Sequence, residues 1–265
     1  MKRLITALIL LPLVLLVIVK GGPTFFAVLL GVFTFIGIQE FYRMALPGRD
    51  QESWLASLCG TALIFLPLIG TPLVALALLG ILFLSFSFLF LFRIRNIADA
   101  AREIAYAVLA FLYIPFLLMH LVMLHRTQYG VQWLLVIMLI VMTNDSAAYY
   151  TGSAFGKRRL YPLVSPKKSI EGAIGGLFGS ICGTFLAKFT FFPQLTVLDA
   201  LLTALVVGMV GQAGDLFESM LKRSFGVKDS GTLIPGHGGV LDRLDSIIFA
   251  APVTYYYAVY VFGRF

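Results

Sequence analysis

Apolar residues run along this chain in stretches of roughly 16–24, about the length that carries a helix across a hydrocarbon core, and short polar connections separate them. The pattern predicts spans at 4–19, 24–39, 54–69, 72–92, 103–124, 131–151, 170–191, 197–217 and 246–262. The expected fold is therefore an all-α polytopic membrane protein with about nine transmembrane helices. The first run lies behind Lys2 and Arg3 like a signal peptide, but Lys20-Gly21-Gly22-Pro23 offers no small-residue cleavage site, so it reads as a retained span. The longest polar connection runs from Asp215 to Asp245. Residues 1–130 read as a lipid-facing scaffold and residues 131–265 as the half that carries chemistry.

Composition agrees. Hydrophobic residues make up 60% of the chain and charged ones 12%, which excludes an ordinary water-soluble domain. A net charge of +7 raises the question of nucleic acid, but the cations are scattered over short loops, and no nucleic-acid partner is expected. Nine spans place sixteen of the twenty lysines and arginines on the N-terminal face, leaving Lys20, Arg126, Lys188 and Arg264 on the other. The positive-inside bias makes the first face cytoplasmic and puts the C-terminus on the opposite side. Every charge-rich loop then opens to the cytoplasm, and the chain is expected in the inner (plasma) membrane. Cys59 and Cys182 each lie within an apolar run, which argues against a disulfide framework.

The early spans offer little chemistry. Gln39-Glu40-Phe41-Tyr42-Arg43 reads as an interfacial anchor, with rings at headgroup depth and charges in water. His120 reads as a hydrogen-bonded structural histidine. The sixth span differs, because Thr143-Asn144-Asp145-Ser146 puts an acid inside it; such residues face a cavity and a partner. Beyond it come Lys157-Arg158-Arg159 and then Ser165-Pro166-Lys167-Lys168-Ser169. There a proline sets the backbone before two lysines and two hydroxyls at an expected helix start, a pattern suited to phosphate. Gly172, Gly175, Gly176, Gly179 and Gly183 form small-residue ladders that fit close helix packing, within one protomer or across a homodimer.

The polar stretch holds the densest chemistry. If the eighth helix continues, Asp215, Glu218, Ser219 and Lys222 share a face. Asp242 and Asp245 open the ninth span. These acids, with Asp145, make an oxygen set suited to Mg²⁺, and Asp215 and Asp242 are the first choices as ligands. Whether a second, monovalent ion joins it is left open by the residues. Acids that hold a metal beside cations that hold phosphate are the parts of phosphoryl or nucleotidyl transfer. Lys167, Lys168, Lys222, Arg223, Lys228 and Arg243 supply the cations; Gly236, Gly238 and Gly239 allow close backbone approach to a ligand, and His237 serves to position or to move a proton.

The run Ser219-Met220-Leu221-Lys222-Arg223, then Lys228-Asp229-Ser230-Gly231, then Ile234-Pro235-Gly236-His237-Gly238-Gly239-Val240-Leu241-Asp242-Arg243-Leu244-Asp245, resembles the signature of the phosphatidate cytidylyltransferase (CDP-diacylglycerol synthase) family. Asn144-Asp145-Ser146 and Ser165 to Gly172 extend the likeness. The resemblance implies that CTP and phosphatidic acid give CDP-diacylglycerol and pyrophosphate at the bilayer, with Mg²⁺ required. It implies catalytic roles for Asp215, Asp242, Lys167, Lys222 and His237. Substrate contacts follow for Asn144, Ser165, Lys168, Arg223, Lys228, Asp229, Gly238, Gly239 and Arg243. Two rivals are an enzyme using CTP on an ether-linked phosphate or a polyprenol, and a transporter; the first half shows no broken segments matching an inverted repeat.

Overall fold

The computed structural model describes residues 2–69, 71–233, 236 and 238–263. The expectations for His237 and for Arg264 therefore lie outside the described residues, as do Ile234 and Pro235 of the signature. Nine helices appear among the described residues: α1 (Lys2–Lys20), α2 (Gly22–Ala45), α3 (Asp50–Ile69), α4 (Pro72–Phe92), α5 (Ile97–His125), α6 (Gly130–Phe155), α7 (Ile170–Thr190), α8 (Val197–Ser224) and α9 (Leu241–Tyr260). Each coincides with an expected span. Six of them, α2, α3, α5, α6, α7 and α8, are long and apolar enough to cross a membrane. Helix α9 is not among the six; its first turns carry Asp242, Arg243 and Asp245. Large apolar side chains such as Leu73, Phe83, Phe88, Phe178 and Phe189 are exposed, an arrangement suited to lipid rather than water.

Two compact units divide the chain. The first contains residues 1–122 and 229–242. Its central seam is α2 against α3, where small residues let the backbones close: a Cβ on Gly60 would lie 2.3 Å from Cδ1 of Ile38. Within α5, residues Leu112–Phe116 form a π turn around Pro115. Proline has no N–H and its ring crowds the carbonyl a turn earlier, so the ladder widens there. His120 follows with Nδ1 at 2.9 Å from the Phe116 carbonyl oxygen, the structural role expected of it. At the helix ends Arg49 is buried, donating to Glu52 Oε1 at 3.1 Å and the Arg93 carbonyl at 2.9 Å, and it pairs with Glu103. That cluster ties the α2–α3 connection to the α4–α5 connection, two loops that the charge sorting assigns to one face.

The second unit contains residues 123–228 and 243–265. Its tightest seam is α6 against α7. A Cβ on Gly175 would stand 2.0 Å from Thr151 Oγ1, one on Gly179 2.4 Å from the Thr143 carbonyl, and one on Gly183 2.6 Å from Thr143 Oγ1. The glycine ladder is thus used inside the protomer. Trp133 packs edge-on against Phe192 and Phe262, with centroids 5.2 and 5.3 Å away. Thr196 and Asp199 form a capping box at the start of α8, and the Tyr257 hydroxyl donates to Asp199 Oδ1 at 2.7 Å. Cys59 and Cys182 are free thiols.

One element departs from the all-helical expectation. Arg159–Tyr161 (β1) and Ser165–Ser169 (β2) pair as a short antiparallel hairpin. The Ser-Pro-Lys-Lys-Ser segment, expected at a helix start, is instead the strand that leads into α7. Only Ser169 acts as the cap, its Oγ accepting from the Gly172 N–H at 3.1 Å. Proline lacks the N–H and disfavours a helical residue before it, which keeps this segment extended.

Candidate functional site

Helix α8 continues to Ser224, well past the apolar run, so Asp215, Glu218 and Lys222 share a face as the spacing predicts. Lys222 Nζ lies 3.2 Å from Glu218 Oε1, and that glutamate is almost wholly buried. Two turns above, Asp215 Oδ2 is paired with the ammonium of Lys168, which the hairpin delivers from β2. Asp145 arrives from α6 and Asp245 from α9. The three carboxylates are close enough for their charges to repel one another. Lys168 and Arg243 offset the charge of Asp145, and Lys222 offsets that of Asp245. Acids distant in sequence therefore meet in one electrostatic cluster within the second unit.

A cavity of about 470 Å³ opens beside this cluster. Asp145, Asp215, Lys167, Lys168 and Arg159 line it, with Tyr149 and the small residues Gly152 and Gly172. Mixed cations and carboxylates over a small-residue floor suit a phosphate-bearing ligand that carries a cation. Asn144 also reaches the wall, but its amide is committed. Its Nδ2 donates to Ser180 Oγ at 2.8 Å and its Oδ1 accepts from Gln212 Nε2 at 3.0 Å, while Gln212 also reaches the Ala173 carbonyl at 2.9 Å. That network locks α6, α7 and α8 together behind the acids. Ser180 and Gln212 escaped the sequence reading because neither forms a motif with Asn144.

The other expected residues fall elsewhere. Ser165 is half-buried in the hairpin and does not line the cavity. Arg223, Lys228 and Asp229 are exposed, and Arg223 donates to the Val227 carbonyl at 3.3 Å, closing the end of α8. In the first unit, Asp242 Oδ2 accepts from the Ser230 N–H at 2.9 Å, Ser230 Oγ at 3.0 Å and the Gly239 N–H at 2.8 Å. Gly238 has φ +84°, and a Cβ there would stand 2.4 Å from the same carboxylate oxygen. The close approach that requires a glycine at 238 is thus to Asp242.

Glu40 corrects an expectation outright. The sequence pattern puts it in an anchor with its charge in water, yet it is 2% exposed. Its Oε1 accepts from the Val240 N–H at 2.9 Å, and its Oε2 from the Leu241 N–H and Ser230 Oγ, each at 3.0 Å. The free N–H groups at the start of α9 are the reason a buried carboxylate is tolerated there.

The donor set of the second unit is hard oxygen, which suits Mg²⁺. Among the described residues no three His, Cys, Asp or Glu side chains are drawn round one point; the Lys168 ammonium supplies the positive charge at Asp215.

The cytidylyltransferase family model matches residues 1–261. The chain belongs to the cytidylyltransferase family. Among curated members, the phosphatidate cytidylyltransferase of Staphylococcus aureus (strain COL) is 34% identical over 259 residues, covering 95% of this chain and 96% of its own. That of Staphylococcus epidermidis (strain ATCC 35984) is 35% identical over 261 residues, and that of Staphylococcus haemolyticus (strain JCSC1435) 33% over 262, each with the same coverage. The likeness therefore includes the N-terminal helices, where the sequence motifs alone were silent.

Proposed function

We propose that this cytidylyltransferase joins CTP to phosphatidic acid, forming CDP-diacylglycerol and pyrophosphate in phospholipid biosynthesis. The observation that carries the reading is the cluster of Asp145, Asp215 and Asp245 with Lys168, Lys222 and Arg243, beside a cavity large enough for a nucleotide's phosphates. The relatives named phosphatidate cytidylyltransferase, alike over nearly the whole chain, point to the same substrates.

In this reading a phosphate oxygen of phosphatidic acid attacks the α-phosphorus of CTP. A new P–O bond forms there, the bond to the β-phosphate oxygen breaks, and pyrophosphate leaves with the electron pair. The nucleophile is already an anion, so the site needs no strong base and His237 is left a positioning role. Lys167 and Lys168 hold phosphate oxygens at the cavity mouth; Lys222 and Arg243 balance the acids and the charge of the departing pyrophosphate. Mg²⁺, held by Asp215 with Asp145 and Asp245, would neutralise triphosphate oxygens as charge builds on them. A ligand role for Asp242 is proposed from the sequence motif, with its Oδ2 serving the loop. The site faces the cytoplasm, where CTP is available.

The test is direct. Purified protein in mixed micelles is given labelled CTP and, separately, phosphatidic acid, an ether-linked analogue or a polyprenol, with Mg²⁺ or with EDTA. CDP-diacylglycerol and stoichiometric pyrophosphate should form with phosphatidic acid, and chelation should stop turnover. A product seen only with another acceptor, or turnover indifferent to chelation, overturns the assignment.

A further inference from the structure

Glu40 lies on α2, far in sequence from every residue that the proposed reaction uses. Its carboxylate nevertheless takes three donors from one short segment: the Ser230 hydroxyl, the Val240 N–H and the Leu241 N–H. The last two are the N–H groups just before and at the first residue of α9, which have no partner within that helix. A helix cap of this kind normally comes from the residue just before the helix. Here it comes from a membrane helix 200 positions away.

The surrounding packing is built to the same carboxylate. A Cβ on Gly239 would stand 2.4 Å from Glu40 Oε2, and one on Gly231 2.6 Å from Oε1. Two glycines of the signature thus make room for an acid that is not part of it. Ser230 Oγ lies 3.0 Å from both Glu40 Oε2 and Asp242 Oδ2. One hydroxyl, with a single proton to share between them, therefore links the acid of α2 and the acid that opens α9.

Resting on the cytidylyltransferase reading above, we propose that Glu40 is a positioning residue for the reaction. It fixes Ser230, Val240 and Leu241 and, through Ser230, the carboxylate of Asp242. Its carboxylate oxygens sit at the positive end of the α9 dipole, where acceptors are favoured. A glutamine of the same shape keeps one acceptor but turns an N–H₂ group toward donors, so in either amide orientation it opposes at least one backbone N–H, that of Val240 or that of Leu241.

The experiment compares wild type, E40Q and E40D as full chains in the same micelles. Steady-state kinetics are read with CTP and phosphatidic acid, and hydrogen exchange is read at the 230–241 segment. For E40Q, kcat should fall roughly 10–100-fold, the range for partners that orient a reacting group, with KM for CTP nearly unchanged. Exchange at 230–241 should quicken while the α6–α7 seam keeps its protection. E40D, which retains the charge on a shorter arm, should recover part of kcat. An E40Q protein with full kcat, or with loss explained by less folded protein, overturns the proposal. So does unchanged exchange at 230–241. If wild type makes no CDP-diacylglycerol, the functional reading fails by itself, and the exchange result still decides whether Glu40 holds the loop.

Discussion

Asp215 and Lys168 make the sharpest test at the scale of single residues. They are paired in the protein, so each removes a charge that the other faces, and their effects should not add. Asp215→Asn should lower kcat by roughly 10²–10³, the range for losing one electrostatic stabiliser of a transition state. Lys168→Met should behave differently if its ammonium swaps Asp215 for a substrate phosphate. Its KM for CTP or for phosphatidic acid should rise about tenfold or more, the value of one charge-assisted hydrogen bond, with a smaller change in kcat. Kinetics in which Lys168→Met copies Asp215→Asn, with KM untouched, would reduce the lysine to a structural counter-ion. Legibility at this scale was uneven. Asp145 stood out because it lies inside an apolar run, and Asp215 and Asp245 because they bound the longest polar stretch of the chain. Glu40 did not, because it follows its apolar run at the place where a water-facing anchor would sit, and its partners lie 190 to 201 positions away.

Among the elements, the nine helices were readable because run length alone determines them, and the ends that moved were polar. Helix α8 outlasts its apolar run by a full turn and more, since Lys222 and Arg223 are good helix formers near a C-terminus that favours cations. The β1–β2 hairpin was not readable: Ser-Pro-Lys-Lys-Ser has no apolar residue to alternate, so no period-two signal exists. The glycine ladder of α7 was visible as spacing, but its target was not. That target is α6, which carries Asp145, so the seam sets where the acid stands. Gly179→Val should therefore destabilise by about 1–3 kcal/mol, the cost of overpacking, because its Cβ meets the Thr143 backbone rather than a flexible tip. Phe178→Leu, on the exposed side of the same helix, should stay within about 0.5 kcal/mol. Thermal unfolding in detergent checks both; equal midpoints for the two variants would mean that α6 and α7 are not closely packed.

For the whole molecule, orientation rests on charge. If the positive-inside assignment is right, the α5–α6 connection faces outward and the β1–β2 hairpin inward, because a single helix, α6, separates them. Arg126 is the lone basic residue of the first connection, whereas the second holds five between Gly156 and Ser169. Gln128 is exposed in the one and Leu163 is exposed in the other. In a background lacking Cys59 and Cys182, Gln128→Cys should react with a membrane-impermeant maleimide in intact cells. Leu163→Cys should react only in inverted vesicles. Labelling of both from one side would mean that α6 does not cross. Reversal of the two would carry Lys167 and Lys168 away from cytoplasmic CTP, and nucleotide transfer at this site would lose its substrate even with every side chain in place.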